Sequence, residues 1–219
     1  MRSYEQHCGL AKALNVIGDR WTLLIARELL VWKRARFSDL RNGLPGIASN
    51  LLAQRLRDME ETGIISRRSA APPVATATYE LTARGEALRP ILREIGLWGA
   101  PLLARTGDDA SAQLHWLALP IEFTLCDATP DAPSMTLEVS SDGEQLSIEM
   151  DNGFVRCVVG AAEHPDAVLS GPTRKVMQTL LHGESLTLAR KHGVRYRGNP
   201  NVLARLRPRA KSILEKEKA

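Results

Sequence analysis

The chain has 219 residues, of which 44% are hydrophobic and 25% are charged. This composition excludes a disordered chain, which has too few apolar residues to bury a core, and the length suits two ordinary domains. The formal net charge of +4 is unevenly distributed: residues 1–106 hold 16 basic and 10 acidic residues, whereas residues 107–170 hold 12 acidic residues and Arg156 as the one basic residue. The first part therefore favours a phosphate-rich partner, whereas residues 107–170 would repel one.

The first half of the chain shows helical patterns followed by a hairpin. The Gly-Leu-Pro-Gly run at 43–46 has the composition of a turn, and Gly63 lies where a glycine commonly ends a helix. Helix, turn, helix and hairpin is the order of a winged helix-turn-helix. In chain order we predict helices over 9–16, 21–31, 38–42 and 48–62, strands over 64–68 and 77–81 joined by a Pro-Pro loop, and a longer helix over 83–103 whose pattern Pro90 interrupts.

The second half alternates apolar and polar residues, as half-buried strands do. Asp142-Gly143 and Asn152-Gly153 are typical of hairpin turns, so three consecutive strands should form an antiparallel meander. We predict a linker over 106–112, strands over 135–139, 146–150 and 154–158, a helix over 173–181, a short strand over 194–197 and a last helical piece beyond 201.

The predicted helix over 48–62 has two unlike sides. Asn50, Gln54 and Arg57 share one side, and in the major groove Asn and Gln can bond adenine while Arg can bond guanine. This side is either a DNA-reading surface or the solvated face of an amphipathic helix. The opposite side, which should pack inward, holds Ala48, Leu52, Leu56 and Met59.

Positive charge flanks this helix, which favours the DNA-reading interpretation. The run 33–36 precedes it, and Arg67-Arg68 follow it on the first predicted strand. Such residues would contact phosphates and fix the register on the duplex. Glu60 and Glu61, near the helix end, would then point away from the groove floor.

Several motifs of the first half resemble those of the HxlR family of MarR-like regulators. The resemblance implies a homodimer built on the first and last helices of the domain, whose recognition helices enter successive major grooves of a pseudo-palindromic operator. The motifs are Cys-Gly-Leu-Ala at 8–11, Ile-Gly-Asp-Arg-Trp-Thr-Leu-Leu-Ile at 17–25, Arg-Phe-Ser-Asp-Leu at 36–40, Leu-Pro-Gly-Ile at 44–47, Leu-Ala-Gln-Arg-Leu at 52–56, Tyr-Glu-Leu-Thr at 79–82 and Leu-Trp-Gly at 97–99.

The resemblance and the charge pattern together give a set of DNA-binding candidates. Four of them fall on the recognition helix, and Arg55 is expected to make a backbone or structural contact. Two departures from the family stand out: Ala48 occupies a position that is often a serine able to cap the helix, and the loop between Pro72-Pro73 and Tyr79 is longer and lacks an acidic residue. The candidates are Lys33, Arg34, Arg36, Ser38, Ser49, Asn50, Gln54, Arg55, Arg57, Arg67 and Arg68.

The cysteines and histidines do not form a metal-binding pattern. Cys8, Cys126 and Cys157 are an odd number without CxxC spacing, and the five histidines are scattered, so we expect reduced thiols, no metal and no cofactor. Some members of the family sense oxidants through a cysteine before the first helix. Cys8 lies there, but Gly9 follows it in place of the proline of the sensor motif. Redox sensing and a role as a small buried hydrophobe both remain open.

The second half resembles a sterol-carrier-protein-type domain over 114–206, most clearly at 167–171, 182–183 and 194–200. The resemblance implies a smaller α+β domain with an antiparallel five-stranded sheet around an apolar tunnel. Two roles remain open, namely a module that binds an apolar effector and a module that only enlarges the dimer interface. The predicted domains are thus 1–105 and 113–219.

The last part of the chain is basic: residues 188–218 hold ten Lys or Arg residues and only two Glu residues. This stretch is either a solvated tail or an additional DNA contact. The sequence has no GxSxG, GxxxxGK(S/T) or HExxH motif, so we expect no enzyme activity. It also has no apolar run of the roughly 20 residues that a membrane span needs, and no secretory signal, so we predict a cytoplasmic homodimeric DNA-binding regulator. The alternative is a lipid carrier whose winged helix binds protein.

Overall fold

The computed structural model describes residues 3–69, 77–105 and 111–209, and the chain divides into two compact units, Met1–Ser111 and Ala112–Ala219. The Pro-Pro loop at 72–73, most of the linker predicted over 106–112 and the basic residues Lys211, Lys216 and Lys218 lie outside the described residues. The predicted domain bounds therefore stay a prediction. None of the helices in the described ranges is long and apolar enough to cross a bilayer.

The N-terminal unit has a winged helix-turn-helix fold. Helices α3 and α4 form the helix-turn-helix, and three antiparallel strands in the order β1-β3-β2 form the wing sheet. The elements are α1 (Gly9–Ile17), α2 (Thr22–Trp32), β1 (Arg34–Arg36), α3 (Phe37–Gly43), α4 (Ser49–Glu61), β2 (Ile65–Ser69), β3 (Ala77–Leu81), α5 (Ala83–Glu86), α6 (Arg89–Gly99) and a 3₁₀ turn (Ala100–Arg105).

The core of this unit lies beneath α4. Leu52, Leu56 and Met59 are buried there, as their spacing predicts, and pack in one cluster with apolar residues of α2 and β2. Ala48 is an exception, because it precedes the helix and is exposed. Burial of one apolar stripe leaves the opposite side of α4 in solvent.

The prediction of one helix over 83–103 is wrong, since the chain forms two helices, α5 and α6, with a break between Glu86 and Arg89. Proline has no backbone N–H, and its ring clashes with the carbonyl of the residue four positions earlier, which for Pro90 is Glu86. Helix α5 must therefore end near Glu86. Pro90 is tolerated in the first turn of α6, where an N–H would have no helical partner.

The run at 33–36, predicted only as a basic stretch, contains the strand β1. Ala35 is buried, whereas Arg34 and Arg36 on either side of it are exposed. Arg34 lies opposite Glu80 of β3 and Arg36 lies opposite Thr78. This third strand fixes where the basic side chains of the run point.

The C-terminal unit is an α+β fold built on a five-stranded sheet. A second, two-stranded sheet pairs its first and last strands. After a 3₁₀ turn (Leu114–Leu117) the elements are α7 (Ala118–Thr124), β4 (Leu125–Asp127), β5 (Met135–Ser141), β6 (Glu144–Asp151), β7 (Phe154–Val159), β8 (Ala167–Ser170), α8 (Thr173–Leu181), α9 (Leu186–Lys191), β9 (Arg195–Gly198), α10 (Asn201–Arg205) and β10 (Leu206–Pro208).

The large sheet has the order β7-β6-β5-β8-β9 and is mixed, so the prediction of an antiparallel sheet is wrong for one strand pair. The three predicted strands do form the meander, and positive φ at Asp142, Gly143, Asn152 and Gly153 identifies both hairpin turns. After β7, however, the segment 160–166 crosses back, and β8 enters beside β5 in the same direction. The turns predict local pairing only and carry no information about this crossover.

A buried ion pair joins the start of this unit to its end. Arg205 donates to the Asp127 carboxylate through Nε at 2.9 Å and Nη2 at 2.7 Å, and through Nη1 to the Pro133 carbonyl at 2.5 Å. Both charged side chains are at most 5% exposed. Arg205 is therefore a structural residue, and neither of the two roles predicted for the basic stretch, a solvated tail or an additional DNA contact, applies to it.

Candidate nucleic-acid interface

The exposed side of α4 presents the polar residues that the sequence predicts. Ser49, Asn50, Gln54 and Arg57 are exposed, and the half-buried Ala53 lies among them. A small residue at this place lets the helix approach a groove closely. Glu60 and Glu61 are exposed at the far end of the helix.

Side-chain hydrogen bonds connect this surface. Arg57 Nη2 donates to Gln54 Oε1 at 2.7 Å, and Gln54 Nε2 donates to Asp58 Oδ1 at 2.7 Å. The Gln54 amide is thereby held with its acceptor toward Arg57 and one donor toward Asp58. The remaining N–H groups of both side chains can donate outward. An ordered, exposed Gln–Arg pair is suited to hydrogen bonding with base edges.

Arg55 has a different environment from Arg57. It forms ion pairs with Asp19, between α1 and α2, and with Asp58 Oδ2 at 3.2 Å, and its side chain is only 20% exposed. This bridge ties α4 to the preceding helices. The placement agrees with a structural contact rather than with base reading.

The start of α4 has no side-chain cap from the residue before it. Ala48 occupies the N-cap position with extended backbone angles and cannot accept a hydrogen bond through its side chain, and Ser49 is the first helical residue. The Leu51 N–H donates instead to Asn50 Oδ1 at 2.9 Å. Asn50 thus accepts a hydrogen bond at the N-terminus of α4 and also belongs to the exposed polar side of the helix.

The wing sheet brings several candidate arginines together. Arg34 donates to Glu80 Oε2 through Nε at 3.1 Å and Nη2 at 2.8 Å, and Arg68 pairs with the other carboxylate oxygen. Hydrogen bonds from Arg34 and Arg68 hold the pKa of Glu80 below its usual value. By strand alternation Arg36 lies on the same face. One carboxylate therefore gathers two of the three guanidinium groups of this face.

Arg67 does not join this group. It lies opposite Tyr79, on the other face of the sheet, because consecutive strand residues point to opposite faces. Arg67 is nevertheless exposed near the strand end. Lys33 is exposed and has a positive φ at the end of α2, and Ser38 is exposed with its hydroxyl 3.2 Å from Asp39 Oδ1. Arg67, Lys33 and Ser38 thus lie apart from the face that holds Arg34, Arg36 and Arg68.

Among the described α-helices of this unit, α1 and α6 have the most exposed large apolar side chains. On α6, Ile91, Ile95 and Trp98 form a stripe at helical spacing, and Trp98 is 78% exposed; on α1, Leu10 is 69% exposed and Leu14 40%. Leu92 of the same helix instead packs against the buried core of the unit. A stripe of this kind in solvent is typical of a surface that a partner covers.

Cys8 is exposed and precedes α1 at its N-cap position. Exposure does not agree with the role of a small buried hydrophobe. Redox sensing by this thiol stays a prediction. Among the described residues, no three His, Cys, Asp or Glu side chains are grouped closely enough to hold a metal ion.

Sequence reasoning missed the acidic partners of this interface. Glu80, Asp19 and Asp58 determine which arginines are engaged, and nothing in the local sequence marks Glu80 or Asp19. The pairing of Arg34 with Glu80 depends on strand register across 46 positions. The i, i+4 spacing of Gln54 and Asp58 and the i, i+3 spacing of Arg55 and Asp58 could have indicated these two contacts.

Comparison with known proteins finds a matching family and several similar relatives. Residues 16–106 match the family described as HxlR-like helix-turn-helix. Three proteins of Bacillus subtilis (strain 168), each named as an uncharacterized HTH-type transcriptional regulator, are similar to this chain. YvaP is 36% identical over 87 residues, which are 40% of this chain and 80% of YvaP. YkvN is 35% identical over 92 residues, covering 42% and 77%, and YtcD is 32% identical over 117 residues, covering 52% and 90%.

The family match ends at residue 106, before the C-terminal unit begins. The resemblance of that unit to sterol-carrier-type domains therefore stays a prediction. For the N-terminal unit, the fold, the motifs and the relatives agree. The chain belongs to the HxlR-like helix-turn-helix family, and its relatives described above are named as transcriptional regulators.

Proposed function

We propose that the protein is a homodimeric, sequence-specific DNA-binding regulator in which the exposed side of α4 enters the major groove. The observation that supports this most directly is the arrangement of Asn50, Gln54 and Arg57 on one exposed helix side above a buried apolar stripe. Each well-placed pair of hydrogen bonds to a base discriminates by about 1 to 3 kcal/mol. Arg36, Arg67 and Lys33 supply exposed positive charge for phosphate contacts.

The first experiment identifies an operator and then removes the reading surface. Footprinting on the gene's own upstream region supplies the fragment. A triple variant, Asn50→Ala with Gln54→Ala and Arg57→Ala, is then compared with the wild type by gel shift at about 150 mM salt. We expect the affinity ratio between operator and unrelated duplex to fall by at least about tenfold.

A matched control keeps the helix and changes exposed residues outside the presumed reading surface. Glu60→Ala with Glu61→Ala alters total affinity through charge but should keep the operator preference. If the triple variant retains the wild-type preference, α4 is not the reading helix. The alternative of a carrier whose winged helix binds protein predicts no operator preference in the wild type itself.

We propose further that α1 and α6 form the dimer interface. The exposed side chains of Ile95 and Trp98 would be covered by the second protomer, which accounts for their apolar character. Ile95→Glu with Trp98→Glu should give monomers in sedimentation velocity, whereas Glu94→Ala on the same helix should not. Loss of the dimer should also abolish cooperative occupation of a two-part operator.

For the C-terminal unit we propose an effector module that binds an apolar small molecule, with a pure dimer module as the alternative. The support is the predicted resemblance together with an α+β fold that packs helices on a five-stranded sheet. Titration of hydrophobic metabolites against operator affinity separates the two roles. A tightly bound compound that leaves this affinity unchanged would contradict effector control.

A further inference from the structure

Charge is separated across the large sheet of the C-terminal unit. One face of the sheet presents alternate residues of each strand, and on it the acidic side chains of Glu138, Glu149 and Asp151 lie on β5 and β6. On the same face, Arg195 and Arg197 lie on β9, the last strand of the order β7-β6-β5-β8-β9. The β9 edge of the sheet is therefore positive. These three carboxylates lie two or more strands away, where Arg156 of β7 is opposite Glu149, and Asp166 directly precedes β8.

Neither arginine of β9 is neutralised by a neighbour. Their cross-strand partners on β8 are Ser170 and Val168, and both guanidinium groups are exposed without an ion pair in the described part of the chain. The nearby carboxylates are engaged with backbone. Glu138 Oε2 accepts from the Ala162 N–H at 3.1 Å, and Asp166 Oδ2 accepts from the Thr136 N–H at 2.7 Å.

The preceding helix extends this positive surface. Arg190 and Lys191 are exposed in the last turn of α9, which packs next to β9. The sequence has no acidic residue between Glu184 and Glu215. We call the surface formed by Arg190, Lys191, Arg195 and Arg197 the β9 basic edge.

Protection of an open strand edge does not by itself account for these charges. Charged side chains commonly prevent edge-to-edge association of sheets. On the opposite edge strand, β7, Glu122 of α7 accepts from the Cys157 N–H at 2.9 Å, and Arg156 is the single basic side chain of the strand. Two more basic residues on α9, away from the strand, are not needed for that purpose.

We infer that the β9 basic edge binds the phosphate backbone of duplex DNA without sequence preference, while α4 reads the bases. The inference rests on the proposed operator binding. Unpaired guanidinium and ammonium groups on one exposed edge match the spaced negative charges of a duplex. Because α4 and the β9 basic edge are in one chain, the second contact forms at high effective concentration. The consequence is a stronger salt dependence than the N-terminal unit alone provides.

The test compares two full-length double variants that remove the same charge. Arg195→Gln with Arg197→Gln changes the β9 basic edge, and Arg156→Gln with Lys175→Gln changes basic residues elsewhere on the same unit. Glutamine keeps the strand edge polar. The affinity for a non-operator duplex and for the operator is measured between about 50 and 200 mM salt. We expect the first variant to lower the slope of log K against log salt by about 2 for each bound protomer, and the control to leave the slope unchanged.

Four further outcomes decide the inference. Arg195→Lys with Arg197→Lys should restore the slope, because phosphate contact requires charge rather than a guanidinium. If both Gln double variants lower the slope equally, the effect comes from the overall charge of the unit, and the inference is overturned. An unchanged slope for Arg195→Gln with Arg197→Gln overturns it as well. If the double variant is unfolded by circular dichroism, the single variants should each lower the slope by about 1.

Failure of this inference is distinguishable from failure of the proposed function. Changes at the β9 basic edge should weaken operator and unrelated duplex alike and leave their ratio constant. Changes on α4 should alter that ratio. Binding of the β9 basic edge to anionic lipid vesicles, with no effect of its variants on DNA affinity, would identify a different partner and contradict the inference.

Discussion

The exposed side of α4 and the Asp127–Arg205 pair show the same chemistry in opposite surroundings. On α4, Arg57 donates to Gln54 at 2.7 Å in full contact with solvent. In the C-terminal unit, Arg205 makes charge-assisted bonds of similar length to Asp127, but both side chains are removed from water. The bond lengths therefore do not distinguish the two arginines, whereas their burial does.

Burial determines what each network is available to do. Exposed hydrogen bonds exchange with water at little cost, so Gln54 and Arg57 can exchange partners when a duplex arrives. A buried charge that loses its partner cannot be hydrated, so Arg205 and Asp127 stay together or the unit unfolds. The first network suits recognition and the second fixes the fold.

The largest expected effect comes from deleting the buried arginine. Arg205→Ala leaves the Asp127 carboxylate buried without its partner and also removes the bond to the Pro133 carbonyl. We expect a loss of about 3 to 5 kcal/mol in the free energy of unfolding. Arg57→Ala removes the same kind of side chain from the surface and should cost about 0.5 kcal/mol or less. Urea denaturation measures both, and similar losses would contradict the comparison.

The acid stability of the protein should depend on the same pair. Hydrogen bonds from Arg205 are the main cause that lowers the pKa of Asp127 to about 2. Since the folded pKa lies below that of the unfolded chain, this stabilisation is present above about pH 4 and is lost as the pH falls toward 2. Its size is about 2 kcal/mol.

Asp127→Asn isolates this contribution, because asparagine does not titrate. The difference in unfolding free energy between wild type and Asp127→Asn should shrink by about 2 kcal/mol between pH 6 and pH 2. The exposed Asp131, changed to Asn, serves as control and should follow the wild type. A constant difference across this range would mean that Asp127 is not stabilised as a carboxylate.

A second buried carboxylate allows the comparison to be repeated in the N-terminal unit. Glu28 is fully buried, bonded by Arg27 Nη2 at 2.6 Å, and a Cβ at Gly43 would collide with its carboxylate. Gly43→Ala should therefore destabilise by about 1 to 3 kcal/mol. Gly96→Ala, in a helix with open space around it, should instead stabilise by about 0.5 to 1 kcal/mol. The same sign for both variants would contradict close packing at Gly43.

The sequence was sufficient for most of the N-terminal unit because its signals are local. The apolar stripe of α4 fixes which side is buried, and this predicts the exposure of Asn50, Gln54 and Arg57. Helix bounds agree within one residue at each end up to α4. The prediction of a single helix over 83–103 failed because the break that Pro90 imposes, which is a local rule, was given too little weight.

The C-terminal unit was less predictable because its organisation is not local. The hairpin turns at 142–143 and 152–153 predict β5 to β7, but the parallel β8 joins through a crossover. The pairing of β4 with β10 connects residues about 80 positions apart and left no pattern in either short segment. The partners Glu80 and Asp127 were missed for the same reason.

The smallest expected effect concerns the N-terminus of α4, next to its exposed hydrogen-bond network. Ala48 has N-cap backbone angles but no side-chain acceptor, and Asn50 accepts from the Leu51 N–H instead. Ala48→Ser should supply that acceptor and stabilise by about 1 kcal/mol, raising the melting temperature by about 2 to 4 °C. Ser49→Ala, inside the first turn, is the control and should change the melting temperature little.

The same substitution tests whether Asn50 has two roles. If Asn50 supports the helix start, Asn50→Ala should cost stability in the natural background and less in the Ala48→Ser background, so the two changes should be non-additive. The Asn50 amide, released from the Leu51 N–H, should then be better placed for base contact. Strict additivity would mean that the hydrogen bond to Leu51 contributes nothing to the helix, and that Asn50 lies on the exposed side of α4 for recognition alone.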